Sequence, residues 1–179
     1  MTNRIFCACL VLLMSIAARS QELERGKAWV SMEPAALTLI DRGHPGVVEL
    51  QFRVTRGFHI NSNQPKQEYL KKTELKLDAP TDIVIGRITY PAGEDRSFPF
   101  APNEKLSVYS GDFAVGVTVR PLRSVLPAKY AVHGFLKYQA CDNAACYPPK
   151  QLPVTFEVKI TKGQAPRKKN PAQSPHAHS

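Results

Sequence analysis

Beyond its first 20 residues the chain holds two cysteines, one tryptophan and no apolar run of the roughly 18 residues a membrane helix needs. Two cysteines allow one bridge, which excludes a scaffold stapled by several disulfides. Nor is there a second cysteine pair to complete the commonest structural zinc sites. No window carries a convincing 3.6-residue apolar period, and 15 prolines with 10 glycines cut the chain into short segments, so a helical bundle is excluded. Acids are missing from both ends: residues 1–19 carry Arg4 and Arg19, and residues 161–179 carry Lys162, Arg167, Lys168 and Lys169, with no acid in either stretch. Removing those six charges from the formal +9 leaves about +3 on the body. A nucleic-acid surface needs basic residues concentrated on the folded part with aromatics between them, so nucleic acid is not an expected partner. Trp29 stands outside any Cys…Trp…Cys arrangement, which excludes an antibody-type domain with an inter-sheet bridge.

The pattern that remains is β. Residues 35–40 form a short apolar run that ends in the turn-rich stretch 41–46. Over residues 47–55, Val48, Leu50, Phe52 and Val54 alternate with Glu49, Gln51 and Arg53, the period of a half-buried strand. Further strands are expected at 57–63, 73–77, 83–90, 106–109, 113–119, 130–139 and 154–160. Residues 91–105, with three prolines and the pair Phe98 and Phe100, read as a long ordered loop. With 43% apolar residues the chain can build one core. The expectation is therefore a single all-β domain, a two-sheet antiparallel sandwich, with a small barrel as the alternative. Residues 1–20 read as a secretory signal: Arg4 precedes the apolar stretch 5–18, and Ala18 and Ser20 suit cleavage before Gln21. Cys7 and Cys9 would leave with it. They precede most of the apolar stretch, which speaks against a lipoprotein cysteine. The body is then 21–161, and 162–179 is a basic tail too poor in apolar residues to order itself. His176 and His178 in that tail could bind a metal only loosely. The mature chain is expected to be soluble in an oxidising, periplasmic or otherwise extracytoplasmic space.

Cys141 and Cys146 remain, within Tyr138-Gln-Ala-Cys-Asp-Asn-Ala-Ala-Cys-Tyr-Pro-Pro149. They could staple the chain locally, though closing so short a loop contributes only roughly 2 kcal/mol in the chain-entropy account. They could bind a metal, but His44, His59 and His133 are the only histidines in the body to complete a site; two-coordinate copper(I) needs no such help. Or they could exchange with a visiting thiol, which needs one reachable sulfur and a second close enough to resolve the mixed disulfide. The wide spacing and β context differ from the Cys-x-x-Cys of a thioredoxin helix, so a thioredoxin-like protein is a candidate partner rather than a model.

That cysteine stretch, with Gly57-Phe-His-Ile-Asn-Ser-Asn63 and Val108-Tyr-Ser-Gly111, resembles the periplasmic N-terminal domain of the transmembrane thiol:disulfide interchange protein DsbD. The likeness runs from about Ala28 to Thr161. It implies an immunoglobulin-like sandwich and a relay of electrons between thioredoxin-like partners, with Cys141 and Cys146 as a redox-active disulfide in place of any cofactor or metal. It implies that Cys146 forms the mixed disulfide. The family's aromatic cap corresponds to the stretch before Val108-Tyr109; its Phe-Tyr is not reproduced at the same offset, and Phe98 and Phe100 stand nearest, with Phe100 as the substitute. His59 and Asn61 align with site-lining positions, and Tyr109, Tyr138 and Tyr147 join them as site-lining or partner-contacting candidates. His59 has two readings: a half-buried, hydrogen-bonded strand residue, or an imidazolium that favours the thiolate. The chain carries no membrane domain like the family's, so a separate membrane electron-importing protein is an implied partner. A non-enzymatic binding module with a local structural disulfide is the alternative.

Overall fold

The computed structural model describes residues 28–163. The expected leader and its cleavage point, and all but the first two residues of the expected tail, lie outside the described residues.

Twelve strands and no helix make up the described chain. Four of them, β1 (Val30–Met32), β3 (Gly46–Val54), β9 (Asp112–Pro121) and β6 (Ile83–Thr89), form one sheet in the order β1-β3-β9-β6. A second sheet has the order β2-β12-β10-β5, from β2 (Thr38–Asp41), β12 (Lys150–Thr161), β10 (Lys129–Tyr138) and β5 (Glu74–Asp78). Only the β2–β12 edge pairing is parallel. These sheets are the two layers of an immunoglobulin-like antiparallel sandwich. Alternation places its core as the sequence suggests. Val48, Leu50, Phe52 and Val54 of β3 are buried with Phe113, Val115, Val117 and Val119 of β9, and they meet Val132 and Leu136 of β10 and Val154, Phe156, Val158 and Ile160 of β12. Each such side chain contributes about 1.5–3 kcal/mol by leaving water. Register carries the pairing into the core: Phe52 lies opposite Phe113, and their rings stack with centroids 5.3 Å apart. At Gly134 of β10 a Cβ would run into the Lys76 carbonyl of β5, so close strand approach requires glycine there.

A third sheet, at one end, sets up the site: β11 (Ala140–Cys141), β4 (His59–Asn61), β8 (Ala101–Tyr109) and β7 (Glu94–Phe98), in the order β11-β4-β8-β7. Here the structure corrects the expected loop at 91–105. Phe98 pairs with Ala101, so Pro99 and Phe100 form a two-residue hairpin turn between β7 and β8. The prolines that suggested a loop sit where a ladder tolerates them. Pro99 is at a turn corner, and Pro102 lies in the part of β8 that has β7 on one side only, because β4 pairs with β8 just at Val108 and Tyr109. The expected strand 130–139 also divides. It leaves the second sheet after Tyr138, and Gln139 is the link to β11, which pairs with β4.

Candidate functional site

The change of sheet at Gln139 decides where the cysteines point. Leu136, Tyr138 and Ala140 keep alternating into the main core, so Cys141 turns to the opposite face. There it lies in register with His59 on β4. Cys141 is fully buried, whereas Cys146 is exposed. The two sulfurs are bonded at 2.07 Å.

The intervening loop is organised by Asp142. Its Oδ1 accepts the backbone N–H groups of Ala144 (2.7 Å) and Ala145 (2.9 Å), and its Oδ2 accepts the Tyr147 hydroxyl (2.6 Å). Those donors, the Tyr147 hydroxyl foremost, hold the Asp142 carboxyl below its ordinary range. The Tyr147 ring lies 4.8 Å from Trp29, which also meets Phe58 and carries the Lys150 ammonium 4.0 Å above its face. Gln139 clamps the other side. Its Nε2 donates to the Tyr147 carbonyl (3.2 Å), while its Oε1 accepts from Asn61 Nδ2 (3.2 Å) and the Lys71 N–H (3.3 Å). The polar ties across this end of the molecule therefore converge on one glutamine.

The cap hairpin covers the face that Cys141 shares with His59. Phe98 stacks on the His59 imidazole at 3.8 Å and 14°, and Phe100 stacks behind it, 5.5 Å from Phe98 and 6.3 Å from His59. Phe98 is thus the ring against His59, with Phe100 outside it. Leu70, Leu106 and Val108 pack under Phe98 in an apolar cluster separate from the main core. His59 is 3% exposed, and its Nε2 has no hydrogen-bond partner among the described residues. Burial, then the nearby Arg96 charge, lowers its pKa to about 4, with Asp142 acting weakly in the opposite sense. At neutral pH the ring is therefore uncharged. With the disulfide formed it carries no charge, and it is buried more deeply, with less hydrogen bonding, than a half-buried strand histidine. Asn61 is fully buried too, donating to the Lys71 carbonyl at 3.0 Å and to Gln139, with its Oδ1 unpartnered among the described residues.

Two of the candidate tyrosines lie elsewhere. Tyr109 pairs with Ile60, one residue out of phase with His59, and so faces the main core, where it stacks on Phe113 at 4.9 Å. Its hydroxyl donates to Asn63 Oδ1 (2.6 Å). Tyr138 is 2% exposed in the same core, with its hydroxyl against the backbone of Trp29 and Val30. Cys141, Cys146, His59, Asn61, Phe98, Phe100 and Tyr147 are brought together. Sequence reasoning did not place Arg96, Asp142, Gln139 or Trp29 at the site. Asp142 and Gln139 were within reach, because both lie in the quoted cysteine stretch. No three His, Cys, Asp or Glu side chains gather as a metal would require among the described residues.

The arrangement offers one exposed cysteine, one buried cysteine bonded to it, and aromatic rings stacked on the neighbouring His59. Comparison with known proteins fits that chemistry. A family model described as "Thiol:disulfide interchange protein DsbD, N-terminal" matches residues 27–158. None of the curated proteins matches the chain. Among solved structures the chain is similar to the Neisseria meningitidis DsbD N-terminal domain in the reduced form (22% identity, TM-score 0.42, covering 69% of this chain and 87% of that one). It is also similar to the complex between the DsbD N-terminal and PilB N-terminal domains from the same organism (22% identity, TM-score 0.40, 70% and 80% covered). A third similar structure is the seventh ScaB type I cohesin from Pseudobacteroides cellulosolvens (14% identity, TM-score 0.46, 79% and 97% covered).

Proposed function

The chain belongs to the family of the DsbD N-terminal domain, and from that premise we propose that it performs thiol–disulfide exchange outside the cytoplasm, relaying an electron pair through Cys141 and Cys146 between thioredoxin-like partners. The observation that carries this reading is the asymmetry of the bridge: Cys146 is exposed and Cys141 is buried. A donor thiolate attacks Cys146 Sγ. The Cys141–Cys146 bond breaks, a donor–Cys146 disulfide forms, and Cys141 leaves as a thiolate that takes up a proton. The donor's second thiol then attacks the donor's own sulfur, releasing reduced Cys146 and an oxidised donor. Two electrons and two protons have moved. Toward an oxidised acceptor the sequence reverses: Cys146 attacks, and Cys141 resolves the mixed disulfide. Phe98 limits stray exchange by covering the shared face until a partner displaces it.

No helix among the described residues is long and apolar enough to cross a membrane. In this reading reductant reaches the domain from a thioredoxin-like donor served by a separate membrane electron importer, and the Cys141–Cys146 disulfide is the group that carries it.

The test is trapping. Cys141→Ser should accumulate a mixed disulfide through Cys146 with an oxidised thioredoxin-like partner, whose own disulfide the Cys146 thiolate opens. Cys146→Ser should accumulate none, and the double variant should be folded and inert. Normal electron transfer by these variants would rule the relay out. A redox titration separates the relay from a local clamp: a potential far below about −300 mV would identify a structural bridge.

A further inference from the structure

A cleft of about 490 Å³ reaches the cysteine loop at Asn143 and is lined further by the turn at Thr55, Arg56, Gly57 and Phe58 and by Arg96 and Phe98 of β7. Its charged lining is Arg53, Arg56, Arg96 and Asp112. Arg53 is already committed, 2.6 Å from Asp112 and 3.0 Å from Glu33. Arg56 and Arg96 form no ion pair among the described residues. The Arg96 guanidinium is held by Ser110 Oγ at 2.9 Å, and its field reaches His59. Asp142, whose field also reaches His59, has both oxygens engaged within its own loop. Two guanidinium groups without an ion pair thus border an opening that Asn143 of the cysteine loop also lines. His59 also lines the cleft, with Nε2 lacking a partner, so a polar visitor suits it better than an oily one.

We propose that this cleft is the docking slot for a carboxylate-bearing loop next to the reactive cysteine of the thioredoxin-like partner, with Arg56 and Arg96 receiving the carboxylate. The inference rests on the exchange reading above and names the chemistry of the partner's surface. A protein loop is favoured over a small anionic thiol for a mechanical reason. A protein surface makes enough contact to offset displacing Phe98 from His59, which a small molecule does not. Arg96 lies two residues before Phe98 on β7. A carboxylate that draws Arg96 therefore acts on the strand whose ring covers the site, so charge recognition and cap opening are one event. Arg56 supplies steering: it is exposed, in the turn closed by the Phe58 N–H to the Thr55 carbonyl at 3.0 Å.

The experiment compares three reductants of the Cys141–Cys146 bond by stopped flow. They are a thioredoxin-fold domain with an aspartate or glutamate beside its Cys-x-x-Cys motif, the same domain with that acid changed to its amide, and dithiothreitol. At low salt the acidic domain should react about tenfold faster than the amide form, and the gap should close near about 0.5 M salt. Arg56→Glu, at an exposed turn position, should abolish the preference, and Arg96→Gln should reduce it. Equal rates for the two domains, or a preference that survives Arg56→Glu, would overturn the slot and leave the exchange reading standing. Reduction by dithiothreitol but by neither domain would remove the exchange reading and the slot with it.

Discussion

Burying an imidazole costs most when it is protonated, and His59 reveals that cost through pH. Its pKa is about 4 in the folded chain against the ordinary 6.5. Between those values the unfolded chain binds a proton that the native chain refuses, so native stability falls as pH drops from 6.5 to 4 and is independent of this residue above that window. With the ring almost wholly out of water, the full loss is roughly 3 kcal/mol. Asp142 also loses its stabilising contacts in acid, but its depressed carboxyl places that loss below the histidine window. His59→Phe keeps a ring for Phe98 and removes the proton site. Urea unfolding from pH 7 to 4 should therefore fall by roughly 3 kcal/mol less in His59→Phe than in the parent. Parallel curves for the two proteins would mean that His59 titrates normally. The sequence could nominate this histidine but not its protonation state, because what neutralises it comes from other segments: the Phe98 ring and the Arg96 charge, both from the cap.

The cap hairpin is the element whose form was hardest to read from sequence, and its composition explains why. Alternation made β3 plain, because each odd–even step crosses from core to solvent. β7 has no such contrast: Glu94, Asp95, Arg96 and Ser97 are all exposed and only Phe98 turns in. Its partner β8 begins with half-buried Ala101 and then four exposed positions, the first of them Pro102. Polar edge strands with prolines look like loops until pairing is known. The same limit applies to Tyr109, whose place in a quoted motif suggested the site. The face it uses is set by pairing with Ile60, which residue types alone do not specify. The hairpin's single inward ring concentrates its function, and Phe98→Ala removes both the stack on His59 and the centre of the small Leu70–Leu106–Val108 cluster. Losing about 1–2 kcal/mol of closure should raise the rate of Cys141–Cys146 reduction by dithiothreitol on the order of 5–30-fold. Phe100→Ala removes only the outer ring and should have a smaller effect. A larger acceleration from Phe100→Ala would make Phe100 the cover instead. On the opposite side, Gln139→Ala strips partners from Asn61 Nδ2, the Lys71 N–H and the Tyr147 carbonyl. It should cost about 1–3 kcal/mol in urea unfolding, and no change would mean that water replaces the clamp freely.

At the scale of the whole molecule, two apolar clusters of unequal size stand side by side. The main one ties β3, β9, β10 and β12 together, while the other holds just Leu70, Phe98, Leu106 and Val108 with Phe100 and Ala101 against them. β7 is an edge strand, bonded only to β8. Lifting it sacrifices one ladder and the small cluster, and none of its residues belongs to the main one. A lid must open while its frame stays folded, and this division allows that. Native-state hydrogen exchange measures it directly. Amides bonded between β7 and β8 should exchange through local opening, at a free energy well below the global value and insensitive to low denaturant. Amides of Leu50, Val117, Val132 and Phe156 should exchange only through global unfolding. Reducing the disulfide should not blur the distinction, because freeing so short a loop withdraws only roughly 2 kcal/mol from the folded state. If β7 amides exchange at the same free energy as the β3 and β9 amides, the cap and the sandwich open as one body. The cover over His59 could then move only when the whole domain unfolds, and a lid that moves only on those terms cannot serve a relay.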